Sequence, residues 1–120
     1  MARVLIAEDR ESMRKALKAL LIMQPQWEAC DETEDGDDAV AKAAELRPDL
    51  MVMDFRMHRV NELIAANEIF RTMATVPIVM YTRYKTDEVE ATAKLVGIRN
   101  VIGKEEGAQT LVKAIETELN

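Results

Sequence analysis

With 120 residues, a hydrophobic fraction of 48% and a single cysteine, the chain can bury one core without disulfide or metal staples. Its net charge of −6 argues against a nucleic-acid surface, because phosphate contacts need clustered Lys and Arg. No apolar run approaches the ~20 residues that span a bilayer and no basic-then-apolar leader opens the chain, so no membrane association and a cytoplasmic location are expected.

Arg3 to Ala7 is a short β-type run, and Glu8-Asp9 follow it at once. From Arg10 the period becomes helical: Met13, Ala16, Leu17, Leu20 and Leu21 recur at three- and four-residue spacing until Pro25. Trp27 to Thr33 reads as a strand polar enough for a sheet edge, and within it Cys30 suits a small apolar niche. Gly36-Asp37-Asp38 opens a second helix with acids at its positive end; its apolar side is Val40, Ala43 and Ala44, and Pro48 bounds it.

Leu50-Met51-Val52-Met53-Asp54 comes next, four apolar residues running into a carboxylate. Such a run suits a strand buried on both faces of a parallel sheet. An ionised Asp inside that sheet would cost several kcal/mol, so Asp54 is expected at the strand's exposed C-terminal tip. In open α/β sheets that edge is where ligands bind. A third helix covers about Asn61 to Met73 through Leu63, Ala66, Ile69, Phe70 and Met73. Pro77 to Thr82 is a fourth strand, Thr86 an N-cap, and the helix after it uses Val89, Ala93 and Val96 and stops at Gly97. Asn100 to Gly103 is a fifth strand, followed by Lys104, and a last helix from about Ala108 uses Leu111, Val112, Ile115 and Leu119. Strands alternating with helices predict an α/β fold, a parallel five-stranded sheet with helices on both faces. Residues 1–120 are expected to form one domain.

Four strand tips thus carry Glu8 with Asp9, Asp54, Thr82 and Lys104. One polar residue after a strand is common; three carboxylates, a hydroxyl and an ammonium at successive tips form a specific pattern. Three acids brought together repel and demand a cation. Oxygen ligands suit Mg²⁺, with Mn²⁺ as the alternative. A carboxylate beside such an ion can attack phosphorus and become an aspartyl phosphate. Lys104 would neutralise the phosphoryl group and the Thr82 hydroxyl would donate to it, and phosphoryl transfer asks little more than positioning and charge.

In these five positions the chain resembles the receiver domain of two-component response regulators over its whole length. Arg3 to Asp9, Asp35-Gly36, Leu46 to Leu50 and Gly97 to Lys104 look most like receivers of LuxR/NarL-type regulators, although no DNA-binding segment is read within these residues. The resemblance implies a flavodoxin-like (βα)5 three-layer sandwich with strand order 2-1-3-4-5. It implies that Asp54 accepts a phosphoryl group from a sensor histidine kinase, that Asp9 binds Mg²⁺ directly, and that Glu8 acts through a metal-bound water. The backbone carbonyl of Arg56 would complete the protein's share, and Thr82 and Lys104 would bind the phosphoryl group and switch the face made by the fourth helix, fifth strand and fifth helix. Only slow self-catalysed phosphorylation and dephosphorylation of Asp54 is implied, which is not enzymatic activity in the usual sense. The output protein or domain is unspecified, and homodimer formation stays open, as does whether the receiver stands free or is cut from a longer regulator.

Several positions depart from the family pattern. His58 replaces a usual Pro and reads as a solvated loop residue. Arg83 follows Thr82 where a small residue is common; its side chain lies over the phosphorylation site or points to solvent, and both placements stay open. Val101 stands where a reorienting Tyr or Phe is usual, with Tyr81 and Tyr84 as substitutes, though packing is the simpler role for both. Glu105 replaces the proline of a cis Lys-Pro bond; a cis bond ahead of a non-proline costs about 3 kcal/mol, so the geometry of this loop stays open. The rival readings are a phosphorylation-independent pseudo-receiver and a Mg²⁺-dependent phosphohydrolase. The latter needs a second Asp two residues on as its acid/base, and Arg56 stands there. A cofactor-binding flavodoxin is the weakest option, since it would need a phosphate-cradling loop after the first strand, where Glu8-Asp9 stand instead.

Overall fold

The computed structural model describes residues 1–33, 36–54, 60–73, 75–83 and 85–120. Strands β1 (Ala2–Ala7), β2 (Trp27–Thr33), β3 (Leu50–Met53), β4 (Ile78–Thr82) and β5 (Asn100–Gly103) alternate with helices α1 (Glu11–Ile22), α2 (Gly36–Leu46), α3 (Val60–Thr72), α4 (Asp87–Leu95) and α5 (Ala108–Leu119). The strands pair in parallel in the order β2-β1-β3-β4-β5, as the flavodoxin-like reading requires. No described helix is long and apolar enough to cross a membrane.

Alternation along the strands divides the core in two. Met51 and Met53 of β3 join Ile78 and Met80 of β4 beneath Ala39 and Ala43 of α2, Ala66 and Ile69 of α3 and Ala93 of α4. Leu50 and Val52 join Val79 and Tyr81 on the other face, beneath Leu17 and Leu21 of α1 and Leu111, Val112 and Ile115 of α5. Two helices therefore cover one face and three the other. β2, the polar strand, lies at the sheet edge; its register against β1 slips between Ala29 and Asp31, and Cys30 at the slip packs against the core.

Periodicity placed three residues on the wrong side. Ala16 and Ala44 are exposed and Ala39 is buried in place of Ala44, because the buried stripe of a helix is narrower than its apolar composition allows, and in α2 it runs through Ala39 and Ala43, four residues apart. Phe70, expected on the core side of α3, is 42% exposed, and its ring lies against Gly97. Gly97 has φ +93, and a Cβ there would overlap that ring, so two independent reasons fix glycine at this turn. The Leu63 side chain, like Asp35, lies outside the described residues.

Candidate functional site

The C-terminal rim of the sheet is built by ladder bonds that run one residue past the strands. Glu8 N–H donates to the Thr33 carbonyl at 2.9 Å, and Asp54 N–H to the Ala7 carbonyl at 3.0 Å. Because Ala7 pairs with Met53, these bonds bring Glu8 and Asp54 out of neighbouring strands side by side. Asp9 follows Glu8, and one carboxylate oxygen from each of Glu8, Asp9 and Asp54 lies within 4.8 Å of the others. On the far side, Thr82 pairs with Gly103, so Thr82 and Lys104 leave β4 and β5 at the same rim.

Lys104 reaches across the rim: its Nζ lies 3.1 Å from Asp54 Oδ2 and 3.3 Å from Glu8 Oε1, and stands 5.8 Å from the centre of the Tyr81 ring. The expected exposed tip needs correcting here. Asp54 does lie just past its strand, yet its side chain is only 4% exposed, and that of Glu8 is wholly buried. Ammonium and carboxylates compensate one another at a place where water is largely excluded. Thr82 is buried as well.

One ammonium does not balance three acids. Burial foremost pushes the Glu8 carboxyl up to about 7; the Asp54 charge and shared hydrogen bonds with Asp54 and Asp9 push the same way, and Lys104 opposes them. Among the described residues, three carboxylates that bring one oxygen each within 4.8 Å of the others fit a hard divalent cation.

The acids are held from behind. Arg10 N–H donates to Glu8 Oε2 at 3.3 Å, and one guanidinium nitrogen of Arg14 donates to the carbonyls of Glu8 and Asp9 at 3.0 and 3.3 Å. Arg14 Nε is 3.7 Å from Glu32 Oε1 of β2. Sequence reasoning missed Arg14, since nothing in its spacing signals a side chain that curls back onto the preceding loop.

Among the residues singled out by departure from the family, Arg83 is exposed and Val101 is buried in the core. Tyr81 packs in the opposite core cluster, and burial, then the Glu105 charge, raises its phenol. The Lys104–Glu105 bond is trans and lies in a single 3₁₀ turn, Lys104–Glu106. Arg56, His58 and Tyr84 lie outside the described residues.

Comparison with known proteins gives the family and the fold. The family model of the response regulator receiver domain matches residues 4–116. The transcriptional regulatory protein LnrK of Bacillus subtilis is 30% identical over 117 residues, covering 98% of this chain and 53% of its own length. The response regulator protein VraR of Staphylococcus saprophyticus is 30% identical, covering 98% of this chain and 56% of its own length. The chain thus spans about half the length of these relatives. The response regulator domain of Thermotoga maritima CheB superposes with a TM-score of 0.89 at 28% identity, covering 100% of this chain and 97% of that one. A LuxR-family two-component response regulator from Aurantimonas shares the fold at a TM-score of 0.93 and 24% identity, covering 99% of this chain and 85% of that one. With nearly all its residues matched by the family model, the chain belongs to the receiver domains of two-component response regulators.

Proposed function

We propose that residues 1–120 act as one phosphoacceptor receiver in which Asp54 takes a phosphoryl group from a sensor histidine kinase. The observation that carries this reading is the meeting of three carboxylates within 4.8 Å, with the Lys104 ammonium 3.1 Å from one and 3.3 Å from another. Asp54 Oδ attacks phosphorus; the P–N bond to the kinase imidazole breaks and its electron pair stays with the ring nitrogen. Lys104 receives the incoming charge, and Thr82, buried at the next strand tip, donates its hydroxyl to a phosphoryl oxygen.

Glu8, Asp9, Asp54 and the Arg56 carbonyl would hold Mg²⁺, or Mn²⁺ in its place. When bound, the ion neutralises charge on the phosphoryl oxygens. The chain's own residues supply the nucleophile, the ammonium and the exclusion of water. Turnover is limited to slow gain and loss of this one group. The product is a switch, with the face made by α4, β5 and α5 offered to an output partner. Arg83, exposed beside Thr82, sets the lifetime of the mark, so Arg83→Ala changes it several-fold; equal decay rates would contradict this role.

Incubation with acetyl phosphate and Mg²⁺, followed by intact-mass measurement, tests the reading. Wild type gains one phosphoryl group and loses that gain in EDTA, and Asp54→Asn gains none. Equal gain by Asp54→Asn, or none by wild type, would contradict it and favour a receiver that works without phosphate.

A further inference from the structure

One carboxylate joins the end of β5, just before Lys104, to Lys85 in the segment beyond Thr82. Glu106 Oε2 accepts from the Gly103 backbone N–H at 2.7 Å and from Lys85 Nζ at 2.7 Å. Gly103 is the ladder partner of Thr82 and immediately precedes Lys104. Lys85 lies three residues beyond Thr82 and also stands 3.9 Å from Glu90 Oε1 in α4. The Glu106 carbonyl accepts from Thr110 Oγ1 at 2.9 Å, anchoring the turn to the first turn of α5.

The arrangement fixes where the Lys104 side chain starts. Lys104 opens the 3₁₀ turn, and Glu105 after it provides no proline ring to stiffen the backbone. The N–H immediately before the turn is instead held by a charged acceptor, the stronger class of hydrogen bond. Lys85 beside that carboxylate lowers its proton affinity, as does the Gly103 N–H, which keeps it ionised and accepting. Misplacing a catalytic group by about 1 Å can cost on the order of a hundredfold in rate, and the tip of a long lysine inherits any drift of its backbone.

We propose that Glu106 is a positioning residue for phosphoryl capture: through the Gly103 amide it aims Lys104 at Asp54, and through Lys85 it ties the loop after Thr82 to the same turn. The proposal rests on the phosphoacceptor reading and adds the residue that holds its ammonium in place.

The test compares wild type with Glu106→Ala, Glu106→Gln, Lys85→Ala and the Lys85→Ala/Glu106→Ala double variant. The readouts are the rate of phosphorylation by acetyl phosphate with Mg²⁺, beryllofluoride affinity, and the Gly103 amide proton shift. Glu106→Ala lowers rate and affinity about five- to tenfold, within the range a misplaced group produces, and moves the Gly103 amide upfield. Glu106→Gln keeps an acceptor for that amide and restores most of the loss, which a general loss of stability would not allow. Lys85→Ala costs less and adds little on top of Glu106→Ala, because both act through one oxygen. Wild-type rate and affinity in Glu106→Ala, no recovery in Glu106→Gln, or full additivity in the double variant would overturn the proposal. The amide arm needs no phosphorylation. An unmoved Gly103 resonance in Glu106→Ala overturns the proposal by itself, whereas a wild type that takes up no phosphoryl group overturns the reading beneath it.

Discussion

Among the described residues, Glu8 is the acid whose environment differs most from that of an ordinary carboxylate. It is buried, faces Asp54 and Asp9, and has Lys104 as the cation that opposes them. Its folded value of about 7 lies above the 4.5 of the unfolded chain, so the folded state binds the proton more tightly. The stability this supplies is fully present below pH 4.5 and is lost as pH rises through about 7, the reverse of the usual carboxylate trend. In EDTA, the urea midpoint should therefore fall between about pH 5 and about pH 8, and Mg²⁺ should reduce the fall by favouring the ionised acids. Glu8→Gln should flatten that profile while weakening Mg²⁺ binding about ten- to hundredfold by calorimetry. A wild-type midpoint that climbs over the same interval would contradict the assignment.

At the scale of elements, α4 is set by its two ends. Thr86 Oγ1 accepts from Val89 N–H at 3.1 Å, the N-cap expected from the sequence, and Asp87 and Glu88 fill the first turn. Thr86→Ala should cost about 1 kcal/mol in urea unfolding, and Thr86→Gly only a few tenths. At the other end Gly97 combines φ +93 with the Phe70 ring, so Gly97→Ala should cost about 2 kcal/mol or more, part of it recovered when Phe70→Ala is added. A neutral Gly97→Ala would mean that the turn and ring are not as described. Strands, helices and their order were legible because Pro25, Pro48, Thr86 and Gly97 punctuate clean changes of period. Phe70 was misplaced for a physical reason: it lies at helical spacing with Ala66 and Met73, and its partner is a turn glycine that no periodicity can announce.

At the scale of the molecule, the site depends on contacts between distant stretches. Lys104 and Glu8 are 96 residues apart and Lys104 and Asp54 are 50 apart, and it is the sheet order that brings them together. The residue types at the strand tips were readable, since parallel strands all deliver their C-terminal ends to one rim. Their burial was not, because it depends on contacts between stretches as far apart as Glu8 and Lys104; nor were Arg14 and Glu106, which act through backbone groups. If phosphoryl uptake selects the folded rim, beryllofluoride with Mg²⁺ should stabilise wild type by about 2.7 kcal/mol at a hundredfold excess over Kd and leave Asp54→Asn unchanged. The most direct measurement of the central claim is borohydride trapping of the acyl phosphate after acetyl phosphate treatment, with peptide mapping by mass spectrometry. Reduction is expected at Asp54 alone, and only when Mg²⁺ is present; a trapped product at another carboxylate, or one formed equally in EDTA, would contradict a phosphoacceptor role for Asp54.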